Sequence, residues 1–161
     1  MTDAGATVIV GLVGLLSGYV AAHLEFVRRT DELWLKALEF LAGQSQKRNL
    51  GIAAIELYWR KKRHRELSIP LLVGAAIYLL EESMQGSAAH EVHNLHRIMR
   101  LLLNDSVAQR VHLEDFNALQ NSLLSVIENT KNRQKRKGLD IPDNQLVAWH
   151  KKTRDICDTL Q

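Results

Sequence analysis

The run AGATVIVGLVGLLSGYVAAHL, residues 4–24, decides how this chain is read. Between Asp3 and Glu25 it carries no formal charge and consists mainly of Val, Ile, Leu, Ala and Gly. A bilayer core takes about 20 mainly apolar residues in helical form. Residues 4–24 are therefore read as a transmembrane helix and residues 25–161 as a helical domain beside the membrane. A cleavable signal peptide begins with a similar run, but it wants Lys or Arg ahead of the apolar core and a small-x-small site behind it. Here Asp3 alone precedes, and Arg28, Arg29 and Lys36 follow. The positive-inside rule then puts the C-terminal domain in the cytoplasm and the N-terminus outside, as a single-pass protein of the inner membrane.

Small residues recur along one side of the run, at Gly11, Gly14, Gly18 and Ala22. Such a small-xxx-small stripe lets two helix backbones approach closely in lipid, where packing rather than hydrophobicity drives association. The stripe marks these four residues as candidate oligomerisation contacts of a homo-oligomer.

Behind the run the profile is all-α. Aromatics are 6% of the chain, only Pro70 and Pro142 interrupt it, and no alternating β-branched segment follows Leu24. No breaker precedes Gly43, so the first helix is expected to continue from Ala6 to Ala42, about 55 Å at 1.5 Å per residue. Trp34, Ala37, Leu38 and Leu41 then form an apolar face that needs a partner. Gly43 reads as the stop and Ser45 as the cap of a second helix, with Leu50, Ala53, Ala54 and Leu57 on one side and Ile52, Ile55 and Trp59 widening it. Ser68 reads as the start of a third helix, IPLLVGAAIYLL, with Pro70 in its first turn. Twelve uncharged residues suit a buried core helix rather than a second span. Three more helices follow: one with Ala88, Val92, Leu95, Met99 and Leu102, one with Phe116, Leu119, Leu123 and Ile127, and one with Leu146, Trp149, Ile156 and Leu160. The lone Cys157 forms no internal disulfide. The expected architecture is a transmembrane helix followed by a bundle of about five helices.

Two basic clusters stand out: Arg60, Lys61, Lys62, Arg63 and Arg65, and Lys131, Arg133, Lys135, Arg136 and Lys137. Cations are favoured at helix C-termini by the helix dipole, which accounts for part of both. Near an anionic leaflet each Lys or Arg gains about 1 kcal/mol, so both clusters are candidate contacts for anionic lipid or nucleic acid. Asp3 is the one acidic residue before Glu25, so the segment after the run holds all 21 basic and 17 of the 18 acidic side chains, a net charge of +4. That is modest for a nucleic-acid binder, and no nucleic-acid motif accompanies it.

HEVHNLH sets His90, His93 and His96 at three-residue steps with Glu91 among them. HExxH metal sites need ligands four apart on one helical face, so a solvated polar face is expected instead. Arg60 and His64 are too close for the Arg-x4-6-His motif of HEPN ribonucleases. No P-loop, GxSxG or paired Cys set occurs, so no catalytic residue, metal or cofactor is expected.

The segment Ser45 to Ser83, KRNLGIAAIELYW followed by IPLLVGAAIYLL, resembles a HEAT-type helical hairpin, without a second copy at the period of such arrays. The resemblance implies a protein-binding surface and no catalysis. The layout of one N-terminal span and a helical domain is similar to that of small membrane effectors and accessory proteins of bacterial antiviral defense systems. The expected function is that of a membrane-anchored homo-oligomer acting by membrane association or pore formation and by contacts with a protein partner. The alternative is a membrane-tethered module that binds RNA or an anionic nucleotide through its basic clusters.

Overall fold

The computed structural model describes the backbone of residues 3–83, 89–104, 112–131 and 141–161, and the side chains of 17–61, 64–82, 91–104, 112–129 and 141–161. Among the described residues the fold is all-α, with no strand. The helices are α1 (Asp3–Leu41), α2 (Ser45–Tyr58), α3 (Lys62–Ser83), α4 (Ala89–Leu102), α5 (Leu113–Lys131) and α6 (Asp143–Leu160). The chain divides into two compact units, Met1–Lys36 and Ala37–Gln161.

The first unit is the body of α1. From Ser17 onward its large apolar side chains, Trp34 excepted, stand exposed, with Tyr19 71% accessible and Val20, Leu24, Phe26, Leu33 and Leu35 each more than half so. Its charges pair along the helix one turn apart, Arg29 with Glu25 at 2.9 Å and Arg28 with Glu25 and Glu32 at 3.4 and 3.6 Å. Surface pairs of this kind contribute a few tenths of a kcal/mol each at best. Among the described residues no helix is long and apolar enough to cross a membrane. Most of the run 4–24 precedes the first described side chain.

The second unit is a bundle with one contiguous core. α3 is its centre, packing against α2, α4 and α5, while α5 packs on α6 and α2 on α4. The periodicities that predict α4, α5 and α6 are the ones that bury. Leu95, Met99 and Leu102 of α4 are inaccessible, as are Phe116, Leu119 and Leu123 of α5, and Leu146, Trp149 and Ile156 of α6 join the same cluster. Helices carrying apolar residues at three- and four-residue steps must cover that stripe, and here they cover one another.

Several local expectations are corrected. Ala37 and Leu41 are buried in this core with Leu38 packed against it, so that end of the apolar face of α1 is occupied; Trp34, in the first unit, is buried too. α1 ends at Leu41 and Gly43 N–H returns to Phe40 O at 3.0 Å, but Gln44, without a side-chain bond, is the N-cap of α2 rather than Ser45. The buried face of α2 is Arg48, Gly51, Ile52 and Ile55, and Leu50 and Leu57 point outward. Gly51 is there because nothing larger fits: an added Cβ would lie 2.7 Å from both Ala37 O and Leu41 N. α3 starts at Lys62, not at Ser68, so Pro70 lies inside it. Pro70 gives the helix no N–H. One turn earlier the Ser68 hydroxyl donates to His64 O at 2.7 Å.

Candidate interaction site

α2 carries a cation on its apolar face. Arg48 shares that face with Ile52 and Ile55, which drives its guanidinium into the bundle, where it meets Glu91 of α4. Both side chains are only 7% accessible. Charges out of water need every donor and acceptor matched, and this site matches them. Arg48 donates to Glu91, to Leu41 O at 3.3 Å and to Gly43 O at 3.1 Å, and its plane lies 5.1 Å from the centre of the Tyr78 ring of α3. The other Glu91 oxygen accepts from Asn94 Nδ2 at 3.0 Å. Burial pushes the Glu91 carboxyl up, but hydrogen bonds from Asn94, Arg48 and Ser45 and the Arg48 charge outweigh it and hold the group below its ordinary value. One side chain thus joins the last turn of α1 to α2, α3 and α4.

A second tie joins α2 to α4 nearer the surface. Arg97 donates to Glu56 at 3.2 and 2.5 Å and to the Asn49 side chain, and Arg100 reaches Glu56 at 2.8 Å. Burial raises the Glu56 carboxyl, and the two arginines more than reverse this, leaving it lowered.

Beside Arg48 and Tyr78 a groove of 590 Å³ opens between the end of α1 and α3, walled by Leu38, Leu41, Pro70, Leu71 and Gly74. It is mainly apolar and its one cation is already satisfied. A smaller cleft of 450 Å³, lined by polar residues, lies between Ser45, Gln46 and Asn49 of α2 and His93 and Asn94 of α4. The Tyr78 hydroxyl donates to Glu82, which raises its pKa further from neutrality. The Cys157 thiol is buried and is pushed up, by burial first and then by the charge of Asp158.

The residues singled out from sequence are dispersed. Gly18 and Ala22 are exposed on α1, with open space around a Cβ at Gly18; Gly11 and Gly14 lie outside the residues whose surroundings are described. Arg60 and Lys61 are exposed in the turn Trp59–Lys61, and Lys61 Nζ lies 5.7 Å from the Tyr58 ring centre. Arg65 is half-buried, with its Nε buried and unpartnered, and the side chains of Lys62 and Arg63 are outside the described residues. Since α3 begins at Lys62, most of this cluster sits in a helix's first turn, where the dipole disfavours cations; it is not a C-terminal cap. Lys131 closes α5, its side chain undescribed, and Arg133, Lys135, Arg136 and Lys137 lie outside the described residues.

The histidine face is not uniformly solvated. His93 is exposed, but Glu91 and Asn94 are buried and His96 packs edge-on against Trp149 at 4.8 Å. Burial, then the charge of His93, lowers the His96 pKa. Among the described residues no group of three His, Cys, Asp or Glu can hold a metal ion.

Sequence reasoning missed the Arg48–Glu91 centre. The signal was there: a lone Arg at i, i+4 and i+7 with Ile52 and Ile55 marks a cation on a core stripe. Comparison of the chain with protein-family models, curated proteins and solved structures returned no match.

Proposed function

We propose that this chain is a membrane-anchored, self-associating helical protein that works through protein contacts rather than by catalysis. The observation that carries the reading is α1. It contains an uncharged run of membrane-spanning length, bounded by Asp3 and Glu25, and it leaves Tyr19, Val20, Leu24 and Phe26 exposed. So much exposed apolar surface on one helix calls for lipid or a protein neighbour. The bundle behind it offers tied helices and a shallow apolar groove, which suits holding a partner, and the basic residues after the run favour a cytoplasmic bundle. Self-association through Gly11, Gly14, Gly18 and Ala22 would be the precondition for a pore, since one span cannot line a channel.

The test is fractionation followed by native mass measurement in detergent. The full chain is expected to resist carbonate extraction and to run as a discrete homo-oligomer. Gly14→Leu/Gly18→Leu is expected to lower the order or stability of that oligomer, because bulky side chains bar close backbone approach. Recovery of the intact chain in the soluble fraction would overturn the anchor, and a monomeric wild type would overturn self-association. Salt-sensitive binding of RNA or nucleotide by the detergent-solubilised chain would instead favour an anion-binding module acting through the exposed Arg60 and Lys61.

A further inference from the structure

α3 is apolar on every side. From Leu67 to Leu80 it carries no charge. Ile69, Leu72, Val73, Ala76, Leu79 and Leu80 fill the core, yet Leu67, Leu71 and Tyr78 stand on the opposite face at 51%, 46% and 46% accessibility. Gly74 lies among them, and a Cβ built there meets nothing within 4 Å. A helix that is apolar all round belongs in an interior, with both sides covered. The bundle covers one.

Charge along this outer face identifies what covers the other. The turn leading into α3 is basic, with Arg60 and Lys61 exposed, and its last turns are acidic, with Glu81 exposed and Glu82 partly so. An anionic leaflet would attract the first end and repel the second. A second α3 lying antiparallel would satisfy both. We infer that the outer face of α3 pairs with the same face of a second copy of this chain about a two-fold axis. Isologous contacts require a self-complementary surface, and this one is. Setting Leu71 of one copy against Gly74 of the partner subunit, a knob into the space a glycine leaves, places Leu67 against Tyr78 of the partner subunit. The same register brings the basic turn within side-chain reach of the acidic end, twice by symmetry. The groove beside Leu71 and Gly74 lets the incoming helix sit low. This contact is distinct from the small-residue stripe of α1 and does not depend on a membrane anchor.

The experiment is the dissociation constant of the full-length chain in detergent, by native mass measurement across a dilution series. Gly74→Leu fills the socket while raising helix propensity, so it is expected to weaken association about tenfold or more without lowering the unfolding temperature. Glu81→Lys/Glu82→Lys is expected to weaken it similarly, and adding Arg60→Glu/Lys61→Glu to restore it. A Leu71→Cys chain mixed with a Gly74→Cys chain is expected to form a mixed disulfide on mild oxidation, since the native Cys157 is buried. Association unchanged by both the Gly74 and the charge-reversal variants would overturn the pairing. So would loss of binding to anionic vesicles with association intact, which would assign the face to lipid. An oligomer abolished by Gly14→Leu/Gly18→Leu but indifferent to Gly74→Leu would overturn this contact and leave the α1 stripe standing.

Discussion

Replacing Arg48 with Met tests whether a single buried ion pair organises the bundle. Met keeps much of the volume and removes the charge, leaving the Glu91 carboxylate stranded where its side chain is 7% accessible. Breaking a buried pair from one side costs about 3–5 kcal/mol, because the remaining charge must be desolvated without compensation. The compact unit 37–161 has about 125 residues, so its unfolding entropy is about 0.26 kcal/mol/K and the variant should melt about 11–19 °C lower. The double variant Arg48→Met/Glu91→Leu removes the stranded charge and should regain part of this, since apolar replacements for buried pairs are often neutral. Recovery should stop short by about 1–3 kcal/mol, because Leu41 O and Gly43 O still lose their donor. Thermal melts followed by circular dichroism of the single and double variants measure both steps. A single variant melting within about 4 °C of wild type, roughly 1 kcal/mol, would refute the claim that the pair is buried and matched. A double variant no better than the single would place the cost in the uncapped carbonyls instead.

Gly51→Ala should also destabilise. Its methyl would sit 2.7 Å from two backbone atoms that cannot swing aside, and overpacking of about 1–3 kcal/mol exceeds the gain of about 1 kcal/mol in helix propensity; a urea midpoint at or above that of wild type would refute the close approach of α2 to the end of α1. Stability should fall with acid. Glu56 and Glu91 have folded-state pKa values below 4.5, so their pairing contributes fully above that value and is lost as pH falls through the lowered ones. His96, lowered by burial, acts in the same direction, its contribution complete above the ordinary histidine value of about 6.5 and lost as pH drops below it. Denaturant midpoints that stay level from neutrality down to about pH 3 would contradict these shifts.

The bundle was legible from periodicity because most of its helices bury one face. Phe116, Leu119, Leu123 and Ile127 mark α5, and Leu146, Trp149 and Ile156 mark α6, by spacing alone, and the core contains all of them. α3 was harder because it has no polar face. Its apolar residues show no period to locate a start, so Pro70 was the nearest cue and suggested a beginning several residues late. Helix position is set there by packing against α2, α4 and α5, which overrides the preference of proline for a first turn. The face of α2 was misjudged for a related reason. Leu50 and Leu57 carry more hydrophobicity than Gly51 and Arg48, yet the backbone contact at Gly51 and the ion pair at Arg48 decide which side faces inward.

The candidate site was less legible because its energetics depend on residues far apart in sequence. Arg48 and Glu91 are 43 positions apart, and Glu56 and Arg97 are 41. Read locally, Glu91 belongs to a histidine-rich segment that resembles a solvated face, and Arg48 follows a Lys at the start of a helix. Each charge alone would be expelled to water, so only the pair, with Asn94, Ser45 and the carbonyls of Leu41 and Gly43 around it, makes burial tolerable. A sequence reader can nonetheless recover half of this. A lone Arg in register with buried isoleucines must have a carboxylate partner on a neighbouring helix. The only acidic residue in the described part of α4 is Glu91, at its first turn, while the basic Arg97 and Arg100 follow it and match Glu56 one turn from the end of α2. Parallel placement of α2 and α4 aligns both pairs at once, so the two ties specify the direction as well as the adjacency of these helices.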